Sequence, residues 1–129
     1  MKIPIYVSSA ALLGGWLLLT SHVNANEAGA KIFQANCAAC HQPDGQGIPG
    51  AFPALVGNAF LVSDVNNVTR VVLNGRGGMP AFSKDLKNEE LASVIEYVRE
   101  TFNGVPTDIT ATQVEALKTA KKPKMEREL

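Results

Sequence analysis

The feature that most constrains this chain is a pair of cysteines followed directly by a histidine, in the segment NCAACH at residues 36–41. Cys37 and Cys40 are the only cysteines among the 129 residues. A small domain without several disulfides needs another source of stability beyond its own apolar core. The chemical role of these two thiols therefore constrains which fold the chain can adopt.

Three uses of the cysteine pair are disfavoured. A disulfide between Cys37 and Cys40 closes a very short loop and adds little stability through chain entropy. A thioredoxin-like redox pair expects a preceding strand, whereas the run AGAKIFQAN places Ile32 and Phe33 on one helical face. A closed zinc site needs four ligands, and the chain beyond its N-terminal segment offers two cysteines and one histidine.

The remaining interpretation is that Cys-x-x-Cys-His attaches a c-type haem. Both thiols would then form thioether bonds to the haem vinyl groups. The imidazole of His41 would be the proximal ligand of the iron. The sequence therefore predicts one covalent haem c, bound through Cys37, Cys40 and His41.

A haem iron held by one histidine needs a sixth ligand or an open site. The second histidine, His22, lies in an N-terminal segment that resembles an export signal. Of the three methionines, Met1 starts the chain and Met125 lies in the charged run KKPKMEREL. Met79 is left as the distal ligand, consistent with the Met/His pairing of cytochromes c.

The surroundings of Met79 favour this role. Glycines at positions 75, 77 and 78 let the backbone bend close to a flat cofactor. Pro80 biases Met79 toward an extended conformation, so that a loop presents its side chain. The alternative is a methionine that fills a gap in the core.

Taken in order, these motifs resemble the mono-haem class I cytochromes c, from about Gly29 to Phe102. GAKIF at residues 29–33 resembles the first helix of that family, with Gly29 and Phe33 at its helix-crossing positions. GMP at residues 78–80 resembles the distal-ligand loop, and residues 91–102 resemble the last helix.

The segment PALVG at residues 53–57 resembles the part of the family that follows the haem motif. The resemblance implies that the carbonyl of Pro53 accepts a hydrogen bond from the proximal imidazole and that Leu55 packs on the haem. The chain departs from the family in its N-terminal leader, in its tail from Val105 and in lacking a lysine-rich face.

Periodicity alone predicts an all-α fold, a small helical domain around the cofactor. Apolar residues recur at helical spacing in residues 27–40, 68–72 and 91–98, and no convincing alternating strand occurs. Gly75 stands where a helix should end, and Asn88 is predicted to cap the last helix.

Three segments are expected. Residues 1–25 have a positive start and a short apolar run, which indicates a signal peptide, with an uncleaved membrane anchor as the alternative. Residues 26–104 form the cytochrome c domain. Residues 105–129 are charged, with a weak apolar stripe, and are predicted to be a flexible tail.

The predicted function is one-electron transfer in the periplasm or at the outer face of the cytoplasmic membrane, because two protein ligands leave the iron no vacant position. Family analogy suggests an exported dehydrogenase, a terminal oxidase or another cytochrome as partners. Residues 26–104 carry six basic and eight acidic side chains, so neither nucleic acid nor a strongly acidic partner is indicated. The alternative function is peroxide reduction or small-ligand binding at an open distal site.

Overall fold

The structure, a computed structural model, describes residues 25–120 and builds them from helices joined by loops. Within these residues the only β-type pairing is two isolated bridges, Ile48 with Phe52 and Arg76 with Met79. The prediction of an all-α fold is therefore confirmed. The helices are α1 (Ala25–Asn36), α2 (Ala38–His41), α3 (Ala59–Val62), α4 (Val65–Asn74), α5 (Asn88–Asn103) and α6 (Ala111–Thr119).

Helices α1 and α5 cross at Gly29. A Cβ atom on Gly29 would collide with the carbonyl oxygen of Ser93 and would lie 2.6 Å from the Cβ of Tyr97. Phe33, one turn further along α1, is fully buried, with its ring centroid 5.6 Å from that of Tyr97 and 5.3 Å from that of Phe102. The two residues expected at the helix crossing are found there.

Helix α4 has a sharp start and a sharp end. The side chain of Asp64 accepts a hydrogen bond from the backbone N–H of Asn66 (2.9 Å), which caps the first turn. The helix ends at Gly75, whose φ of 72° is readily adopted only by glycine. Between these ends α4 buries Val68 and Leu73.

Helix α5 starts differently from the prediction. The backbone N–H of Lys87 donates to the carboxylate of Glu90 (2.8 Å), and Asn88 is the first helical residue rather than the cap. The amide of Asn88 is used instead to hold α6. It donates to the carboxylate of Glu115 (2.8 Å) and accepts from the ammonium group of Lys118 (2.7 Å).

The prediction of a flexible tail from Val105 is wrong for the described part of that tail. Ile109 and Val114 belong to the buried core, and α6 packs against α4 and α5. The helix also starts well, because the side chain of Thr110 accepts from the backbone N–H of Gln113. The weak apolar stripe of this segment was sufficient for α6 to pack, because α4 and α5 offer an apolar surface that contacts it.

Parts of two predicted segments lie outside the residues that the structure describes. Residues 1–24, which hold nearly all of the expected signal peptide, and residues 121–129 lie outside the described residues. Among the helices that the structure describes, none is long and apolar enough to cross a membrane.

Candidate functional site

A cavity of about 480 Å³ opens between the end of α1, the loop that follows α2, α4, the turn before Pro80 and α5. Its wall is largely apolar, with contributions from valines of α4 and α5. All of the site residues predicted from the sequence line this one cavity: Cys37, Cys40, His41, Pro53, Leu55 and Met79.

The imidazole of His41 is held in one tautomer. Its Nδ1 lies 3.0 Å from the carbonyl oxygen of Pro53. Because a carbonyl oxygen can only accept, Nδ1 must carry the proton, which leaves the lone pair on Nε2 available to a metal. The hydrogen bond implied by the family resemblance is present.

Gly47 sets the position of the Pro53 carbonyl, and sequence reasoning missed it. A Cβ on Gly47 would lie 2.5 Å from the carbonyl oxygen of Phe52 and 2.6 Å from that of Pro53. Its backbone N–H donates to the carbonyl of His41 (2.8 Å). The sequence DGQG signals a turn here, but only the fold shows that the turn lies against the histidine's acceptor.

Asn103 was also missed. At the end of α5 its amide donates to the carbonyl of Leu55 (3.0 Å) and accepts from the backbone N–H of Asn58 (3.0 Å). The backbone N–H of Leu55 donates in turn to the carbonyl of Gly45 (2.7 Å). The loop on the histidine side of the cavity is thus fixed through its backbone at both ends.

On the opposite side, a tight turn presents Met79. The backbone N–H of Arg76 donates to the carbonyl of Met79 (3.2 Å), and the N–H of Met79 donates to the carbonyl of Arg76 (3.0 Å). A Cβ on Gly75 would collide with the carbonyl oxygen of Met79, whereas a Cβ on Gly77 or Gly78 would meet no atom within 4 Å. The close approach of the backbone therefore requires glycine at position 75, and the φ of 59° favours glycine at position 77.

The thiol of Cys37 is unsuited to redox chemistry of its own. Cys37 and Cys40 are not joined by a disulfide. Burial, and secondarily the neighbouring Cys40, raises the pKa of the Cys37 thiol to about 11. A reactive cysteine needs a lowered pKa, so free-thiol chemistry at Cys37 is disfavoured.

The donor set of this cavity suits a haem of the c type. It offers one imidazole nitrogen and one thioether sulfur, with two thiols beside the histidine and apolar side chains around them. Residues 25–120 contain no group of three or more His, Cys, Asp or Glu side chains that could hold a metal ion by themselves. His/Met ligation of a haem needs no such group.

Comparison with known proteins gives the same picture. Residues 24–98, more than half of the chain, match the family described as cytochrome C oxidase, cbb3-type, subunit III. A cytochrome c6 of Leptolyngbya boryana is 43% identical over 74 residues, which cover 55% of this chain and 86% of that protein. The solved structure of cytochrome c6 from the diatom Phaeodactylum tricornutum matches with a TM-score of 0.53 and 33% identity, over 61% of this chain and 95% of that one.

A further group of relatives consists of larger proteins. The cytochrome c subunit of the quinone alcohol dehydrogenase of Gluconobacter oxydans is 31% identical over 109 residues, or 74% of this chain. This match covers only 23% of the subunit. The chain thus spans about a quarter of the length of these relatives.

Fold, cavity and relatives together define a class I, mono-haem c-type cytochrome. The chain belongs to the cytochrome c family that the matched model represents. Its cofactor is a covalently bound haem c, and the cytochromes c to which it is similar are electron-transfer proteins, some of them subunits of dehydrogenase complexes. The predictions of the family and of the cofactor are confirmed.

Proposed function

We propose that Cys37 and Cys40 carry the haem through two thioether bonds, and that His41 and Met79 are the axial ligands of its iron. The hydrogen bond from His41 to the Pro53 carbonyl is the observation that best supports this assignment, because it frees Nε2 within the cavity that Met79 also lines. When bound, the haem supplies a one-electron couple between Fe(II) and Fe(III). The residues of the chain determine how that couple behaves.

His41 acts together with its acceptor. The Pro53 carbonyl fixes the ring orientation and makes the imidazole more basic, as partners of metal-bound histidines generally do. Leu55, also in the cavity wall, excludes water beside the ring. Both effects require a rigid loop, and the backbone contacts of Gly47 and Asn103 provide it.

Met79 has two roles. A thioether is a soft ligand, and methionine ligation raises the reduction potential above that of a bis-histidine haem. With both axial positions held by protein side chains, no position is open to a substrate. The arrangement therefore favours electron transfer over catalysis at the metal.

The protein works between redox partners outside the cytoplasm. An exported dehydrogenase is the proposed electron donor, and an oxidase or another cytochrome is the proposed acceptor. The similarity to cytochrome c subunits named for quinone alcohol dehydrogenases supports the choice of donor. The leader at residues 1–25, acting as a cleaved signal or as an anchor, would place the domain in the periplasm or at the outer face of the membrane.

Replacing Met79 by alanine tests the ligand assignment. In the reduced Met79→Ala protein we expect rapid binding of carbon monoxide and a lower reduction potential, because the iron loses its soft ligand. Met125→Ala is the matched control and should behave like the wild type. Equally rapid carbon monoxide binding by the wild type would favour the alternative function, small-ligand or peroxide chemistry at an open site.

The charge balance of the domain leads to a separate prediction about partner recognition. The domain at residues 26–104 has two more acidic than basic side chains, so long-range attraction to a charged partner is weak. The rate of reduction by a purified donor dehydrogenase should therefore change little with ionic strength in stopped-flow measurements. A steep fall in this rate with added salt would contradict the proposed mode of recognition.

A further inference from the structure

Two helices of this protein end on the same dipeptide, an asparagine followed by a glycine. Helix α4 ends at Asn74 before Gly75, and α5 ends at Asn103 before Gly104. Both glycines have positive φ, 72° and 64°, and the backbone N–H of each donates to the carbonyl four residues earlier at 2.8 Å. The two helix ends therefore share the same capping hydrogen bond.

The side chains of the two asparagines are held differently. Asn74 is exposed, and within the described residues its amide makes one hydrogen bond, to the carbonyl of Arg70 (2.9 Å). The part-buried amide of Asn103 makes three, because it donates to two backbone carbonyls (3.0 and 3.4 Å) and accepts from the backbone N–H of Asn58 (3.0 Å). The Asn103 amide is thus fixed across the fold, whereas the Asn74 amide can exchange its partner for water.

An asparagine followed by glycine can lose its side-chain nitrogen without an enzyme. The backbone nitrogen of the glycine gives up its proton and attacks the side-chain carbonyl carbon, ammonia leaves, and a five-membered succinimide ring forms. Water then opens this ring at either carbonyl and gives aspartate or isoaspartate. Glycine favours the attack because it has no Cβ to obstruct it and because its backbone is conformationally free.

We propose that Asn74 is a site of spontaneous deamidation in the folded protein and that Asn103 is protected from the same reaction. The last turn of α4 must open for the attack, since the N–H of Gly75 and the amide of Asn74 are both engaged when it is closed. Helix ends open locally at little cost in free energy. The same reaction at α5 would in addition break the bonds that hold Asn103 to the loop on the histidine side of the cavity.

The product would lie directly before the turn that carries Met79. A carboxylate cannot donate to the carbonyl of Arg70, and a negative charge at the C-terminus of a helix is unfavourable. Isoaspartate also inserts a methylene into the backbone before Gly75, which is packed closely against the Met79 carbonyl. Deamidation should therefore loosen this turn, and this consequence, unlike the modification itself, rests on the proposed ligand role of Met79.

The test incubates the haem-loaded protein in mildly alkaline buffer and follows the conversion of amide to carboxyl by peptide mapping with mass spectrometry. We expect deamidation at Asn74 to be at least about tenfold faster than at Asn103, because the Asn103 amide must break two more hydrogen bonds to react. In the denatured haem-loaded protein both asparagines should react at similar rates. Asn74→Gln should abolish most of the conversion in the folded protein, because the longer side chain would have to form a less favourable six-membered ring.

Equal conversion of Asn74 and Asn103 in the folded protein, or none at Asn74 while the denatured protein reacts, would overturn the inference. The variant Asn74→Asp reproduces one product of ring opening, and in its reduced state it should bind carbon monoxide faster than the wild type. Binding as slow as in the wild type would overturn the expected effect on the turn. The conversion is measured by mass and is independent of the iron ligands, so its failure is distinguishable from failure of the proposed function, and the Soret absorption of each variant checks that haem is bound.

Discussion

The two sides of α5 are stabilised in different ways. On the cavity side the chain supplies loops and turns, and apolar residues such as Ile48 and Phe52 remain 40% and 39% exposed. On the other side α6 and the segment before it complete a protein core, in which Val114 is fully buried. The comparison teaches that a small domain can leave one part of its interior to a cofactor and close another part with an extension of its own chain.

Arg99 joins the C-terminal extension, residues 105–120, to the rest of the fold. This residue is only 6% exposed, and its guanidinium donates to the carbonyls of Leu61 (2.5 Å) and Ser63 (2.8 Å) and to the hydroxyl of Thr107 (2.8 Å). Its hydrogen-bond partners are thus two carbonyls and a hydroxyl rather than a carboxylate. Arg99 therefore connects α5 to α3, to the link that follows α3 and to the start of the extension.

The largest effect is expected for Arg99→Met, which should lower the free energy of unfolding by about 3 kcal/mol because three charge-assisted hydrogen bonds are lost and two carbonyls lose their partner. Denaturant unfolding of the haem-loaded protein measures this change. The control Arg70→Met should cost far less. A changed reduction potential of Arg99→Met under native conditions would contradict the separation of the two regions.

Val114→Ala tests the extension in isolation. Removing two methyl groups from a fully buried site should cost about 2 kcal/mol, while the reduction potential stays unchanged. The exposed residue Thr112 of the same helix provides the control Thr112→Ala. Equal stabilities of the two variants would show that α6 does not contribute to the core.

Gly47→Ala tests the loop on the cavity side. Gly47 and Gly50 both have positive φ, 65° and 79°, so the backbone strain of alanine should cost about 1–2 kcal/mol at either position. Only at Gly47 would the new Cβ displace the Pro53 carbonyl, because nothing lies within 4 Å at Gly50. Gly47→Ala should therefore shift the reduction potential and Gly50→Ala should not. Identical reduction potentials in the two variants would show that the position of the Pro53 carbonyl does not influence the His41 imidazole.

The smallest effect concerns Glu96 on α5. Burial, followed by the charges of Glu100 and Asp108, raises its pKa above the ordinary value of 4.5. The folded state therefore favours the protonated form, and this stabilisation is present below pH 4.5 and is lost as the pH rises through the folded-state pKa. Glu96→Gln should consequently have a slightly higher Tm than the wild type at neutral pH, and the advantage should vanish in acid.

The control for this prediction is Glu89→Gln, in the first turn of α5. Removing a negative charge near a helix N-terminus should bring no gain in Tm. A gain of equal size in both variants would mean that general charge reduction, rather than the neighbours of Glu96, is responsible.

Sequence analysis identified the site residues that lie close together along the chain. Cys37, Cys40 and His41 lie within one short segment, and Met79 could be selected because the chain offers few other ligands. These motifs, read in order, also predicted the helical fold. They carry information because haem attachment requires particular residue types at a fixed spacing.

Contacts between distant segments were not predictable in this way. Gly47 meets the Pro53 carbonyl, and Asn103 reaches Leu55 across 48 positions, only once the chain has folded. The described part of the tail was misjudged because Ile109 and Val114 are two apolar residues in a polar, charged segment. Whether such residues are buried depends on the surface that α4 and α5 present to them.

The central claim is that haem is covalently bound to this chain, and the intact mass of the protein tests it most directly. After expression in a host that matures c-type cytochromes, the mass should exceed that of the polypeptide by one haem, and no free thiol should be titratable. A mass equal to that of the bare polypeptide, with two titratable thiols, would contradict the account.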